Sequence, residues 1–177
     1  PFCGSGTIPI EAALIAKNRA PGLDRRFAAQ KWQSLPAKLW LDAAEEAMDQ
    51  EFHGQYDIWG GDIDPKAVDV AYENAALNGI GKERYTVRAG DVLTDRALAA
   101  ELAQERYQLV LANIVADVII PLAPQVPGLL AEGGVFLCSG ILDSRAHEVA
   151  EALARSGLRV TRKRERNGWA ALEAVLA

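Results

Sequence analysis

Short apolar runs alternate along this chain with segments whose apolar residues recur at the helical period. That alternation restricts the fold to a sheet with helices packed on it. The runs at 56–60, 85–88, 107–112, 135–139 and 158–166 have strand character, and 7–19, 37–52, 66–78, 95–105 and 144–156 have helical character. Tyr107 to Ala112 (YQLVLA) is almost continuously apolar, which predicts a strand buried on both faces. A helix interrupted by Pro121, Pro124 and Pro127 follows it. Asn167-Gly168 is the strongest short hairpin signal, and it leads into a last strand from Trp169. The expectation is an α/β domain over 1–177, built of parallel strand–helix units and closed by an antiparallel hairpin.

The chain opens on Pro1-Phe2-Cys3-Gly4-Ser5-Gly6-Thr7, a small-residue turn running straight into a helix. Such a turn follows a buried strand in most sheets, and here no apolar run precedes it. With Pro rather than Met at position 1, the expectation is a piece of a longer protein whose first strand lies outside this sequence. Residues 20–36, with Pro21, Gly22 and Pro36, read as a loop or excursion.

Composition removes several classes of function. A net charge of −5 disfavours non-specific nucleic-acid binding, though it leaves room for a local basic patch. No run reaches the ~18 apolar residues of a membrane span. Cys3 and Cys138 form no metal-spaced pair, and so few cysteines point to a reduced, cytoplasmic protein.

In an open α/β sheet, ligands bind beyond the carboxyl ends of the strands. Three candidates fall there. Gly4, Ser5 and Gly6 let the backbone press against a cofactor, with a helix start beside them; short glycine turns are also common in their own right. Asp62 can accept both hydroxyls of a ribose with Ile63 as an apolar face for adenine, or it caps the next helix, as Asp64-Pro65 does. Asp91 can meet an adenine amine or serve as an ordinary turn aspartate. Asn113, directly after the 107–112 run, can accept a hydrogen bond from an incoming amine and aim its lone pair, or can be a turn residue. No histidine stands near these strand ends; His53 and His147 read as surface residues. Trp32, Trp40 and Trp59 read as core or interface, and Arg159–Arg166 (RVTRKRER) as an exposed strand face with RNA contact the lesser alternative.

Two families are visible in different parts of the chain. PFCGSGTIPIEAALIAKNRAPG and FAAQKW…LW, within residues 1–61, resemble the THUMP-associated RNA guanine methyltransferases. DIDPKAVDVAYENAALNG, LVLANIVADVIIPLAP, GGVFLCSGI and the closing GWAAL, within 62–177, resemble PrmA, which methylates a protein of the large ribosomal subunit. Both imply a Rossmann-like class I methyltransferase sheet and S-adenosylmethionine as cofactor. Gly4, Ser5, Gly6, Asp62, Ile63 and Asp91 would then take the cofactor, with Asn113 beside it as the amine-positioning catalytic residue. The RNA family carries Asn/Asp-Pro-Pro-Tyr where this chain has Asn113-Ile114-Val115-Ala116, as PrmA does, which favours amine nitrogens of a ribosomal protein over ribosomal RNA as acceptor. The seam between the likenesses lies near 61–65. A join there, with a central strand absent, also allows a piece that folds poorly and catalyses nothing.

Overall fold

The computed structural model describes all 177 residues as two β-sheets with helices packed on them. Helix α1 (Thr7–Ala16) leaves the glycine turn and ends where Asn18 adopts a φ of 54°, three residues before the expected end. An excursion follows, holding a 3-10 turn at Ala28–Lys31 and helix α2 (Ala37–Asp49). Strand β1 (Ile58–Asp62), helix α3 (Pro65–Leu77) and strand β2 (Tyr85–Ala89) complete the smaller unit, with β1 and β2 parallel. Asp64 caps α3 by accepting from the Lys66 amide at 2.9 Å, and Pro65 opens the helix.

The larger unit runs α4 (Arg96–Glu105), β3 (Tyr107–Asn113), α5 (Ala116–Leu122), a 3-10 turn, α6 (Val126–Leu129), β4 (Leu130–Leu142), α7 (Ala146–Arg155), β5 (Leu158–Arg166) and β6 (Trp169–Leu176). Its strand order is β3-β4-β6-β5, with β3 and β4 parallel and β6 antiparallel to both neighbours. Asn167 and Gly168 both take positive φ (53° and 80°), as the tight hairpin turn requires.

Twenty-three buried residues form the core of the larger unit and eight that of the smaller. Little joins them. Ile58 and Asp62 direct their backbone groups to β2, so the residues between, Trp59 and Gly61, direct theirs to the other edge. There Gly61 O accepts from the Cys3 amide at 2.8 Å, while Phe2 and the half-buried Trp59 pack against the larger core.

Two expectations are corrected. β3 is not buried on both faces: Val110 and Ala112 enter the core, but Leu109 is 50% exposed and Gln108 is exposed. Helices α4 to α7 contribute to the core on one side of this sheet, and the face carrying Leu109, Leu137 and Trp169 keeps much of its surface in solvent. Of the core-or-interface reading of Trp32, the core half is corrected, since Trp32 is 61% exposed, whereas Trp40 stacks on Phe27 at 5.7 Å between ring centroids.

The excursion is pinned at its base. The Phe52 amide donates to Lys17 O at 2.7 Å, Asn18 Nδ2 to Gln50 O at 2.9 Å, and Glu51 receives both Lys17 (3.0 Å) and Arg19 (2.6 Å). Lys17 first and Arg19 second hold the Glu51 carboxyl below the usual carboxylate range. No residue of α2 is buried.

Candidate functional site

The strand ends of β1, β2 and β3 place the candidate residues, and the strongest link among them crosses the longest stretch of sequence. Asp62, last in β1, accepts from the Gly4 amide through Oδ2 at 2.9 Å and from the Asp64 amide through Oδ1 at 3.1 Å. A carboxylate at this position ties the glycine turn to β1 across 58 residues. Each oxygen keeps acceptor capacity, because a carboxylate oxygen can take two donors.

The turn itself is shaped by close approach. Gly6 is buried with φ 85°, and a Cβ there would lie 2.6 Å from the Tyr85 hydroxyl and 3.0 Å from Ala71 Cβ. Only glycine lets α1 start this near α3 and β2. Around Gly4 the reverse holds: a Cβ would meet nothing within 4 Å, so the backbone faces open space. Ser5 is exposed, its carbonyl accepting from Asn74 Nδ2 at 2.9 Å. Ile63 presents 68% of its surface to solvent directly after Asp62.

Asp91 follows β2 and is engaged in its own turn. Its Oδ1 accepts from the Leu93 amide at 3.0 Å and its Oδ2 from the Thr94 hydroxyl at 2.8 Å. Asn113 ends β3, exposed, with Nδ2 donating to the Ser139 hydroxyl at 2.7 Å; that bond directs Nδ2 toward β4 and leaves Oδ1 free to accept. Ser139 is a partner that reasoning from sequence missed; it lies within β4 opposite the last residue of β3, in the run Cys138-Ser139-Gly140. A cleft of about 480 Å3 opens beside Asn113 and Ser139, walled by Arg164, Glu165, Arg166 and Trp169 from the β5–β6 hairpin. Arg159–Arg166 read as an exposed strand face, with RNA contact the lesser alternative, and nothing in the sequence places that strand beside Asn113.

Below the site the ionisable groups are held neutral. Burial raises the Cys3 thiol, pushes Cys138 up to about 12, and raises the Tyr85 hydroxyl, which is buried without a hydrogen-bond partner under Gly6. Cys3 is therefore no ready nucleophile.

Several known proteins share this architecture. A ribosomal protein L11 methylase from Lactobacillus delbrueckii subsp. bulgaricus superposes with a TM-score of 0.60 at 26% identity, over 79% of this chain and 65% of that one. A predicted N6-adenine-specific DNA methylase from Listeria monocytogenes gives 0.75 at 29% identity, over 98% of this chain and 44% of that one. In sequence, the ribosomal protein L11 methyltransferase of Pelotomaculum thermopropionicum is 43% identical over 115 residues, 65% of this chain and 35% of the relative. The corresponding protein of Agathobacter rectalis is 36% identical over 116 residues, 66% of this chain and 36% of the relative. The chain thus spans about a third of the length of these curated relatives. The fold is the Rossmann-like sheet of class I methyltransferases, ending in its antiparallel hairpin. Residues 51–176, well over half of the chain, match the family model for ribosomal protein L11 methyltransferase (PrmA), and the chain belongs to that family.

Proposed function

We propose that residues 1–177 work as one S-adenosylmethionine-dependent methyltransferase unit whose acceptor is an amine nitrogen of a large-subunit ribosomal protein. The observation that carries this reading is the 2.9 Å bond from the Gly4 amide to Asp62, which gathers the glycine turn and the β1 end into one rim. The rim suits the cofactor. Open space over Gly4 admits its amino-acid part, and the spare acceptor capacity of Asp62 suits two ribose hydroxyls. The exposed Ile63 offers adenine an apolar face, and Asp91 stands at the next strand end with both oxygens already singly bonded.

When bound, S-adenosylmethionine supplies a methyl group already activated on a sulfonium, so the chain's work is mainly positioning. Asn113 Oδ1 accepts an N–H of the acceptor amine and aims the nitrogen lone pair, while the bond to Ser139 fixes the rotamer. An ammonium acceptor must first lose a proton. No histidine lines the cleft, whose wall carries Glu165 as well as Arg164 and Arg166, so the proton leaves to solvent. Asn113-Ile114-Val115-Ala116 supports a protein amine over a nucleic-acid base.

Calorimetric titration with S-adenosylhomocysteine tests the site. Micromolar binding to the chain and its loss in Asp62→Ala are expected; a folded chain that binds nothing refutes a shared pocket. Transfer of labelled methyl to free ribosomal protein L11, but not to ribosomal RNA, is the expected substrate result.

A further inference from the structure

Strand β5 concentrates positive charge on a chain whose net charge is −5. Five of its nine residues are basic (Arg159, Arg162, Lys163, Arg164 and Arg166) and one, Glu165, is acidic. It is also an edge strand, so its outer backbone groups face solvent. The hairpin register divides the charges by face. Lys163 and Glu165 stand opposite Leu172 and Ala170 and pair with each other. Arg162, Arg164 and Arg166 stand opposite Glu173, Ala171 and Trp169, on the other face.

No ion pair involves Arg162, Arg164 or Arg166, whereas Arg19, Arg88, Arg145 and Arg155 are all paired elsewhere. The one carboxylate opposite the row, Glu173, accepts from the Thr161 hydroxyl at 2.7 Å instead. Alternate strand positions repeat about every 6.6 Å, so the three arginines leave the strand at even intervals on one face. At its end stands Trp169, 51% exposed and without an aromatic or cationic partner, beside the cleft that holds Asn113.

A row of guanidiniums ending in a bare indole is the pairing of features that holds single-stranded nucleic acid. Guanidinium forks take phosphates bidentately, and an aromatic face stacks a base of any identity. An acidic protein segment would use the arginines and leave the indole without a role. We propose that the Arg162–Arg164–Arg166 face and Trp169 form a docking strip for single-stranded RNA, phosphates on the arginines and a base on Trp169 at the mouth of the cleft. The strip is a contact surface, and it does not depend on which nitrogen is methylated.

Fluorescence anisotropy with a labelled 12-nucleotide oligouridine tests it on the full chain. Micromolar binding at 50 mM salt is expected, with a log–log salt slope of about −2 for three phosphates on a single strand. Arg162→Ala/Arg164→Ala/Arg166→Ala should weaken binding more than tenfold and flatten that slope, and Trp169→Ala should weaken it about tenfold. A triple Arg→Lys variant keeps charge and fold while losing the forks, and a severalfold loss is expected. Arg25→Ala/Arg26→Ala, on the excursion, should change nothing. Binding that survives the triple alanine variant, or that falls equally in the excursion variant, overturns the proposal. So does a polyglutamate peptide that binds as tightly as RNA and ignores Trp169→Ala, because the strip would then be an acidic-protein surface.

Discussion

The two units of the molecule are built to different strengths. β3 to β6 enclose twenty-three buried residues under α4 to α7, with Phe136, Ile119, Leu122, Leu153 and Leu172 completely out of solvent. β1, β2, α1 and α3 share eight, three of them alanines. Yet the smaller unit carries Gly4, Asp62, Ile63 and the approach to Asp91, while the larger supplies Asn113 and its cleft. On the proposed function, the cofactor end therefore rests on the thinner core and the acceptor end on the thicker one. Binding at the rim would then stabilise the unit that most needs it.

Removal of core from the larger unit has the largest expected effect. Phe136→Ala should cost about 3–5 kcal/mol in urea denaturation and take the whole chain with it. If β1–β2 amides remain protected from hydrogen exchange in that variant, the units fold independently and the comparison sharpens. Gly6→Ala comes next, because it meets Tyr85 and Ala71 and keeps a left-handed φ. A loss of ~2–3 kcal/mol confined to the protection of β1 and β2 is expected. Its neighbour separates stability from binding. Gly4→Ala bears only the left-handed penalty, about 1 kcal/mol, but fills the open space and should abolish S-adenosylhomocysteine binding. Equal losses from both glycine variants would break the distinction between packing and pocket.

Alkali should destabilise both units, since burial raises Cys3 and Tyr85 in the smaller as well as two acids in the larger. Burial raises Tyr107 and Cys138 to about 12 each, from 10.0 and 9.0. Acids whose folded values lie above their unfolded ones contribute stability that is complete below pH 9 and is lost as pH climbs through about 12. Denaturation midpoints should therefore fall steadily over that window, and Cys138 should resist thiol reagents at pH 8 until the chain unfolds. The smallest effect belongs to the neck of the excursion. Glu51 is held below its ordinary range, so its contribution is full above that range and fades as pH drops through the lowered value. Glu51→Gln should loosen the neck by roughly 1 kcal/mol, seen as about fivefold faster proteolysis within 20–36.

The order of strands and helices was legible because each element carries its own period, and local chemistry marked the ends: Asp64-Pro65 at the α3 start and Asn167-Gly168 at the hairpin. The gathering of Gly4 with Asp62 was legible for the same reason, since both stand at strand or turn ends. Features that depend on distant partners were not. The apolar run at 135–139 marks only part of its strand: β4 begins at Leu130, which pairs with Tyr107 before the register jumps to Leu109 and Val135. The exposure of Leu109 reflects a sheet face left largely uncovered, which no property of YQLVLA records. The Lys17–Arg19–Glu51 cluster joins residues more than thirty apart, a separation at which local patterns carry no information.

That cluster also bears on how such a chain can change over generations. With both ends clamped at 17–19 and 50–52, the segment between has its closure cost met at the neck rather than by its own packing. Each doubling of a flexible loop adds only about 0.6 kcal/mol of closure entropy. Insertions, deletions or wholesale replacement between residues 20 and 49 would leave the register of α1 and β1 undisturbed. The neck works as a socket that accepts segments of different length without re-engineering the sheet.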